Sequence, residues 1–438
     1  MRPPRWQDIL TKTPPDRLLP VFSSFPTSSS KPRYLHWDEI ICRQPPAGLT
    51  REEWWLGLKL GRSRLYQETP LRDAWGKPFQ YLITDPIPEQ LHLIDLAAGG
   101  KVGAPLQIMN PETRNQYYMS SLIEEAITSS QLEGATTTRL VAKEMIHSGR
   151  SPRDRSERMI LNNFQTMRRI GALKDEALTP ELVFELHRLV TRDTLDDPTA
   201  AGRFRTDSED VQVEDDQGAI VHLPPPALEL PERLVQMCDF ANGQTPMHFV
   251  HPAIRAIILH FWLAYDHPFV DGNGRTARSL FYWSMLRHGF WVFEFISISD
   301  ILLKAPAKYG KAFLYTETDD NDLTYFILHQ IGVLRSALDA LDAYIQKKSA
   351  KLKAVESLMR AAGSFNHRQR ALLTHALRHP GFLYTTEGHR LSHDISYNPA
   401  RADLVDLSDR GFLVRTQRGK TTYFTPAKDL EAKLGTTA

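Results

Sequence analysis

The strongest constraint on the fold of this 438-residue chain is an apolar run that ends at a histidine and a proline. Residues Pro252 to Tyr265 are almost uniformly apolar, and a helix that is apolar on all sides is buried in the protein interior. Pro268 cannot continue this helix, so His267 is held at the end of a rigid element. Gly272 to Gly274 then lead into a second helical stretch. The sequence therefore predicts two helices, joined by a short loop, within a mostly helical domain.

The loop between these two helices carries the residue types of an anion site. Glycines before a helix let backbone N–H groups approach an anion closely, at the end where the helix dipole favours negative charge. Arg275 and Arg278 lie three residues apart and project from one helix face. Asp271 is a carboxylate of the kind that binds Mg²⁺ together with phosphate oxygens, and His267, with an ordinary pKa of about 6.5, suits general-base chemistry at neutral pH. The loop therefore predicts a site for a magnesium-bound triphosphate beside a base.

The loop sequence from His267 to Arg278, HPFVDGNGRTAR, matches HPFxxGNGRxxR at all eight fixed positions. This pattern is the signature of the Fic family, which the chain resembles more loosely over about residues 105–330, including Gly202 to Arg205 and Pro224 to Pro226. The resemblance implies a Fic-type helical bundle with a β-hairpin flap. It also implies a protein adenylyltransferase, which transfers AMP from ATP to a Ser, Thr or Tyr hydroxyl of a target protein and releases pyrophosphate.

The resemblance also implies a role for each residue of the loop. His267 is the expected general base, Asp271 the expected Mg²⁺ ligand, and Arg278 is expected to orient the γ-phosphate. Tyr309 lies where relatives contact the nucleoside, although a buried structural role explains a tyrosine there equally well. The intact GNGR sequence favours AMP transfer over the γ-phosphate transfer of a superfamily member that has a lysine in this loop. The expected nucleotide contacts are Gly272, Asn273, Gly274, Arg275, Thr276, Arg278 and Tyr309.

A second motif predicts an internal inhibitor. Ser129 to Gly134, SSQLEG, fits the inhibitory pattern [ST]xxxE[GN] of the family, and the resemblance implies that Ser129 and Glu133 act by engaging Arg278 and excluding the γ-phosphate. Residues 124–132 have a helical pattern, which places Glu133 in the last turn, where the helix dipole disfavours an anion and a cationic partner is needed. An exposed glutamate at a helix end is the alternative. Some relatives use this glutamate to activate water for removal of AMP, and the sequence leaves that second activity open.

The run VQVEDDQGAIVHL, between Arg205 and Pro224, predicts a β-hairpin inside the helical domain. Apolar and polar residues alternate there on both sides of a Gly-containing turn. The resemblance implies that this hairpin, Val211 to Val221, is a flap that adds a strand to the main chain of the target. An ordinary surface hairpin is the alternative. The residues expected to contact the target are Val211, Gln212 and Val213.

The predicted fold class is mainly α. Changes in composition divide the chain into five predicted segments. Residues 1–32, rich in Pro, Ser and Thr, are predicted to form an irregular arm. Residues 33–104 are predicted to be an N-terminal helical region, in which the adjacent pair Trp54 and Trp55 serves packing. The catalytic domain with its inhibitory helix is expected at 105–300, a helical extension at 301–362, and a winged helix-turn-helix-like domain at 363–438.

The last segment offers an alternative function, a DNA-binding regulatory protein that carries a Fic domain. Three predicted helices and a hairpin follow one another there, and such modules contact DNA phosphates with basic side chains. They also serve as contact surfaces for proteins, and because relatives often dimerise, a homodimer is expected. The basic candidates are Arg401, Arg410, Arg415, Arg418 and Lys420, and the acidic residues that would oppose DNA are Asp394, Asp403, Asp406 and Asp409.

Charge and cysteine content exclude several classes of protein. The net charge of +1 gives the molecule no global field for nucleic acid or anionic lipid. Cys42 and Cys238 are far apart, which predicts two packed thiols rather than a disulfide or a zinc site. The most apolar segment is much shorter than the ~20 residues of a membrane span, and the first twenty residues hold charges and prolines. We therefore expect a cytoplasmic protein that does not contact a membrane.

Overall fold

The computed structural model describes residues 2–23, 33–98, 111–214, 218–361, 365–379, 381–418, 421–427 and 429–436. They belong to two compact units, Met1–Leu341 and Asp342–Ala438. The predicted mainly α fold class is confirmed. The strands form two-stranded antiparallel hairpins in the described part of the chain: β1 (Gln67–Arg72) with β2 (Pro78–Tyr81), β3 (Val213–Glu214) with β4 (Ile220–His222), and β5 (Leu413–Arg418) with β6 (Thr421–Pro426).

The helices of the first unit precede and follow the first two hairpins. They are α1 (Trp6–Lys12), α2 (Pro15–Ser23), α3 (Trp37–Ile40), α4 (Arg51–Ser63), α5 (Ile87–Ala98), α6 (Pro111–Leu132), α7 (Arg139–Ser148), α8 (Arg155–Leu173), α9 (Pro180–Thr191), α10 (Leu230–Ala241), α11 (Pro252–Asp266), α12 (Asn273–Arg287), α13 (Ile298–Leu303), α14 (Pro306–Thr318) and α15 (Thr324–Ala361), which continues into the second unit. The second unit adds α16 (His367–Arg378), α17 (Thr386–His393), α18 (Tyr397–Asp409) and α19 (Leu430–Thr436).

Helices α11 and α12 form the centre of the first unit, as the apolar run predicts. All residues from Ala253 to Leu263 are buried, and Trp262 of α11 and Trp283 of α12 are among the largest fully buried side chains. Burying a large apolar side chain contributes about 1.5–3 kcal/mol, so this pair of helices supplies a rigid base for the loop between them. Pro180 and Pro252 occupy the first turns of α9 and α11, where the missing N–H of a proline has no cost.

The N-terminal arm is not irregular throughout, and that prediction was wrong for α1 and α2. Ile9 of α1 and Val21 of α2 are buried in one cluster with Trp55 of α4, so packing against a neighbouring helix stabilises two short helices that sequence periodicity does not reveal. Pro15 occupies the first position of α2, where its missing N–H has no cost. Residues 24–32 lie outside the described residues.

The region predicted as helical at residues 33–104 contains helices and also the β1–β2 hairpin. Leu71, Phe79 and Tyr81 are buried at alternate strand positions, a period of two that identifies half-buried strands and that the prediction overlooked. Helix α4 begins after a cap at Thr50, whose side chain and that of Glu53 bond reciprocally to backbone N–H groups. Residues 99–104 lie outside the described residues.

The second unit contains three helices and a hairpin in the predicted order, and α19, which was not predicted, follows them. Its own core includes Leu373, Leu404 and Phe424. Among the acidic and basic residues considered for DNA contact, Asp403, Asp406 and Arg410 have partners within this unit. Asp403 is buried and accepts hydrogen bonds from Arg368, while the Arg410 guanidinium lies 4.0 Å from the centre of the Phe365 ring. Lys420 lies outside the described residues, and a DNA or dimer contact stays a prediction.

The two cysteines differ from the prediction of two packed thiols. Cys238 is buried, but Cys42 is exposed and that part of the prediction was wrong. Cys42 follows the short helix α3 in a turn, so its side chain does not reach the core. Among the helices described here, none combines the length and the apolar character that a membrane crossing requires.

Candidate active site

His267 caps the C-terminal end of α11 in a left-handed backbone conformation. Its φ is +44°, which costs a non-glycine residue roughly 1–2 kcal/mol, so the surroundings must hold it there. The His267 N–H donates to the carbonyl of Leu263 at 3.0 Å, and the buried Arg205 guanidinium donates to the His267 carbonyl at 2.8 Å. Arg205 also donates to the carbonyl of Pro225. The imidazole is therefore positioned by contacts from both sides of its backbone.

The hydrogen bonds of His267 identify its tautomer. Nδ1 lies 3.3 Å from the carbonyl oxygen of Ala264, which can only accept, so Nδ1 carries the proton and Nε2 keeps its lone pair. Desolvation by the surrounding side chains lowers the pKa of His267 to about 4, and the bond to Ala264 offsets only part of this effect. The ring is therefore neutral at pH 7 and able to take a proton.

The loop after His267 is closed by its own side chains. Asn273 Oδ1 accepts from the Phe269 N–H at 3.0 Å, and Asn273 Nδ2 donates to the Phe269 carbonyl at 2.8 Å. Gly272 has a φ of +84°, and a Cβ atom there would lie 2.6 Å from Thr191 Cγ2, so a glycine is required for both conformation and space. Both polar atoms of the Asn273 side chain are thus engaged by Phe269, and a contact of this residue with a nucleotide stays a prediction.

Glu133 occupies the N-terminal end of α12. A Cβ atom on Gly274 would lie only 2.2 Å from Glu133 Oε1, so the carboxylate rests on the first turn of the helix. The first N–H groups of a helix have no intrahelical partner, and the dipole there attracts negative charge. The carboxylate thus lies where these physical properties favour an anion.

Arg278 joins Glu133 to Ser129. Its guanidinium is 2% exposed and donates to Glu133 Oε1 at 2.9 Å, to Ser129 Oγ at 2.8 Å and to the Ser129 carbonyl at 2.9 Å. Burial alone would lower the pKa of Arg278, but the charge of Glu133 raises it above its ordinary value. Helix α6 ends at Leu132, so Glu133 is the first residue after the helix. This differs from the prediction that Glu133 belongs to the last turn. The three residues of the predicted inhibitory contact lie together.

Arg275 faces a different direction from Arg278. It is fully buried, donates to the Val190 carbonyl at 2.9 Å, and lies 3.3 Å from Asp271 Oδ1. Its Nε has no hydrogen-bond partner among the described residues. Burial lowers the pKa of Arg275, and the charge of Asp271 offsets this only in part. Of the two predicted arginines, Arg275 therefore pairs with Asp271, and Arg278 pairs with Glu133.

Asp271 has the properties of a single Mg²⁺ ligand. Its carboxylate is 37% exposed, and the guanidinium groups of Arg155 and Arg275 lie 3.4 Å and 3.3 Å from its oxygens. In the described residues, no three His, Cys, Asp or Glu side chains converge on a metal. Mg²⁺ commonly takes one or two carboxylates and completes its shell with phosphate oxygens and water. The residues present fit a magnesium ion that arrives with a nucleotide.

A cavity of about 850 Å³ brings half of the fourteen predicted site residues together. Its volume is suitable for a nucleotide-sized ligand. Thr276 does not reach it, because its hydroxyl donates to the Gly272 carbonyl at 2.9 Å. The predicted residues that line the cavity are Glu133, Val213, His267, Asn273, Gly274, Arg278 and Tyr309. In the described lining, the predicted residues Ser129, Val211, Gln212, Asp271, Gly272, Arg275 and Thr276 do not take part.

Tyr309 lies between the protein interior and the cavity. Its hydroxyl lies 2.7 Å from Nε2 of His260, a fully buried histidine, and its half-buried ring lines the cavity. Burial raises the pKa of Tyr309 to about 12, so the hydroxyl stays neutral at pH 7. Its contact with a nucleoside stays a prediction.

The hairpin ahead of the loop is shorter than the predicted span Val211 to Val221. Val213 pairs with His222 and Glu214 with Ile220, so β4 ends one residue later than expected. Val211 and Gln212 precede β3, because pairing starts only at the residue opposite His222. Residues 215–217 lie outside the described residues.

His187 holds the loop and was not predicted. His187 Nδ1 accepts from the Gly202 N–H at 2.9 Å, so its Nε2–H donates to the Asp271 carbonyl, also at 2.9 Å. The ring stacks on Phe269 with centroids 3.8 Å apart, and burial lowers the pKa of His187 to about 4. His187 lies in the amphipathic helix α9, where the surrounding sequence gives no local signal of this contact. Arg205, by contrast, belongs to the Gly202 to Arg205 stretch that the family resemblance included.

Comparison with known proteins agrees with this geometry. Residues 177–285 match the sequence model of the Fic/DOC family. The chain is 29% identical over 185 residues to the protein adenylyltransferase Fic of Nematostella vectensis, a match that covers 42% of this chain and 40% of that protein. It is 31% identical over 180 residues to the protein adenylyltransferase fic-1 of Caenorhabditis briggsae, covering 40% and 33% of the two chains. The chain thus spans less than half the length of these curated relatives.

The fold also agrees with a solved structure. A Fic family protein from Desulfovibrio desulfuricans G20 superimposes with a TM-score of 0.54 at 20% sequence identity, over 80% of this chain and 98% of that one. The helical architecture, the HPFVDGNGRTAR loop and the family match all agree, and this chain contains a Fic domain.

Proposed function

We propose that the chain is a protein adenylyltransferase that moves AMP from ATP to a Ser, Thr or Tyr hydroxyl of a target protein, and that Glu133 inhibits it. The observation that carries this proposal is the Glu133 carboxylate, which rests on the first turn of α12 and lies 2.9 Å from Arg278 in the cavity that His267 lines. The names of the relatives, protein adenylyltransferases, support the reaction class.

The proposed reaction uses the loop as base and cradle. Nε2 of His267 takes the proton of the target hydroxyl, whose oxygen attacks the α-phosphorus of ATP. The bond between the α-phosphorus and the bridging oxygen breaks, and pyrophosphate leaves. Backbone N–H groups at the start of α12 and the guanidinium of Arg278 stabilise the charge on the phosphates. Mg²⁺ held by Asp271 would neutralise part of this charge when it is bound.

Inhibition follows from competition for one anion position. While Glu133 occupies the N-terminal end of α12 and engages Arg278, a terminal phosphate meets a negative charge and finds its guanidinium already paired. Glu133 is 24% exposed, so its carboxylate also reaches water beside His267. This exposure favours a second proposed activity, in which Glu133 activates water and removes AMP from a modified target.

The first prediction tests reaction and inhibition together. We expect Glu133→Gly to increase transfer of label from α-labelled ATP to protein at least ~10-fold, which corresponds to about 1.4 kcal/mol, because the competing anion is gone. His267→Ala in this background should lower the transfer by ~10²–10⁴. Autoradiography measures the transfer, and γ-labelled ATP should label nothing.

Glu176→Gly is the matched control, because Glu176 is an exposed glutamate just after helix α8. Equal labelling by the wild type and Glu133→Gly would contradict inhibition by Glu133. Absence of labelling in every variant, or labelling by γ-labelled ATP, would contradict AMP transfer. Tryptic mass spectrometry of the labelled protein then identifies the modified hydroxyl.

A further inference from the structure

His222, the last residue of β4, has two acceptors facing its ring. The side chain is 8% exposed, and Nδ1 lies 2.7 Å from Glu317 Oε2. Nε2 lies 2.7 Å from the carbonyl oxygen of Tyr265. A carbonyl oxygen and an ionised carboxylate can only accept, whereas a neutral imidazole donates from one nitrogen alone. Both contacts are satisfied when His222 is an imidazolium.

We propose that His222 is a positioning residue of the active site, a cation that holds the β3–β4 flap to the helix end that presents His267, a role that rests on the proposed function. Three elements meet at its ring: β4 itself, the last turn of α11 through Tyr265, and α14 through Glu317. The ring of His222 also packs against the ring of Tyr265 with centroids 4.7 Å apart.

This contact fixes the flap relative to the base. Tyr265 is two residues before His267, so a strand bonded to its carbonyl is held at the level of the imidazole. Val213, the strand partner of His222, lines the cavity. A protein segment that adds to the edge of this hairpin would have its hydroxyl set at a fixed height from His267. His222 itself lines the cavity, but its ring nitrogens are engaged by Tyr265 and Glu317, so we expect loss of the anchor to act on the protein substrate more than on the nucleotide.

The charge of His222 also acts on His267. Burial alone would lower the pKa of His222, but the hydrogen bond and charge of Glu317 outweigh it, and the pKa is raised. The other titratable groups near the ring are Asp266, which is paired with Arg233 of α10, and His267, which is neutral. The positive charge contributes to the lowered pKa of His267 and keeps the base neutral. Because the pKa of His222 is raised, the anchor is complete below about pH 6.5 and weakens as pH rises through the raised value.

Two substitutions separate the hydrogen bonds from the charge. His222→Phe keeps a ring but removes both donors. Glu317→Gln keeps the shape, and its amide N–H can donate to Nδ1 of a neutral His222 while Nε2–H still donates to Tyr265. We therefore expect the flap to stay anchored in Glu317→Gln and to loosen in His222→Phe. His147→Phe, a substitution of an exposed histidine on α7, is the control.

The experiment uses the full chain with ¹⁵N-labelled histidine. At pH 6.5 the ring of His222, assigned by its loss in His222→Phe, should carry protons on both nitrogens, and in Glu317→Gln on one. Hydrogen exchange of the amides of β3 and β4 should be on the order of tenfold faster in His222→Phe, with α12 and the His147→Phe control unchanged. A neutral ring at pH 6.5, or unchanged exchange in the hairpin, would overturn the role of His222.

Activity gives the third readout, in the Glu133→Gly background. His222→Phe should reduce labelling of protein by α-labelled ATP on the order of tenfold, while the Kd for a non-hydrolysable ATP analogue with Mg²⁺ stays within about twofold of its parent. An equal loss of nucleotide affinity would contradict a role confined to the flap. If the parent variant labels no protein at all, the proposed function fails, whereas the spectroscopic and exchange results still decide the state of His222.

Discussion

At the scale of single residues, Gly274 and Glu133 control the same small space. A Cβ atom on residue 274 would lie 2.2 Å from Glu133 Oε1 and 3.1 Å from Arg278 Nη1. A glycine therefore lets an anion reach the first turn of α12, whether the anion is a carboxylate of this chain or a phosphate of a nucleotide. The space is too small for both, so the two anions compete.

Gly274→Ala tests this geometry by filling the space with a methyl group. In the Glu133→Gly background, we expect it to weaken binding of a non-hydrolysable ATP analogue with Mg²⁺ at least ~10-fold, or about 1.4 kcal/mol, because a phosphate oxygen can no longer approach the backbone. Calorimetry measures the affinity. Gly332→Ala, on α15 where a Cβ meets nothing within 4 Å, is the control. An affinity unchanged by Gly274→Ala would show that nucleotide does not use this turn.

At the scale of elements, the inhibitory contact depends on how α6 is held. Glu125 lies two turns before Glu133 and is 1% exposed. It accepts from the Tyr282 hydroxyl at 2.9 Å, from Ser297 Oγ at 2.7 Å, and from both the N–H and the hydroxyl of Ser299. A buried carboxylate needs such donors to offset its desolvation. Glu125 therefore joins α6 to α12 and to the start of α13.

We expect Glu125→Gln to loosen α6, because an amide N–H group replaces one of the charged oxygens that accept these hydrogen bonds. The substitution should reduce the free energy of unfolding by about 2 kcal/mol and increase labelling by α-labelled ATP in part, without adding to the gain of Glu133→Gly. Denaturant unfolding and autoradiography measure the two effects. Glu124→Gln removes a surface pair with the half-exposed Arg139 and should cost only about 0–1 kcal/mol. If Glu125→Gln neither lowers the free energy of unfolding nor increases labelling, the packing of α6 through Glu125 does not control inhibition.

The elements that the sequence predicted are those with a local signal. The apolar run of α11 and the prolines at Pro180 and Pro252 define helices within their own segments. Helices α1 and α2 were missed because their stability comes from contact with Trp55, far along the chain. The β3–β4 hairpin was predicted, but the contacts of His222 were not, because its partners Tyr265 and Glu317 are 43 and 95 residues away.

The candidate site divides in the same way. His267, Asp271 and Arg278 belong to one continuous motif, so their proximity follows from spacing, and the pairing of Glu133 with Arg278 came from the family resemblance. His187 could not be predicted, because one histidine on an amphipathic helix looks like any other polar position. Its function arises when folding brings it to the Asp271 carbonyl, 84 residues along the chain.

At the scale of the whole molecule, the first unit contains desolvated histidines that resist protonation. Removal from water lowers their pKa values to about 3 or about 4, whereas the unfolded chain binds protons with an ordinary pKa of about 6.5. The folded state therefore binds fewer protons than the unfolded state between these values, and its stability falls as pH decreases. These residues are His36 and His260, with pKa values of about 3, and His187, His267 and His329, with pKa values of about 4.

The last prediction is that the first unit loses stability between pH 6.5 and 5, before most carboxylates titrate. Each such histidine contributes about 1.4 kcal/mol per pH unit in this range, partly offset by His222, whose raised pKa acts in the opposite direction. All eight tryptophans lie in the first unit, so their fluorescence during denaturant unfolding reports this unit alone. His329→Gln should flatten the dependence by up to about 1.4 kcal/mol per unit, whereas His147→Gln, at an exposed position, should not. Unfolding midpoints that stay constant from pH 7 to 5 would mean that these rings are already protonated in the folded chain, and a protonated His267 could not serve as the base.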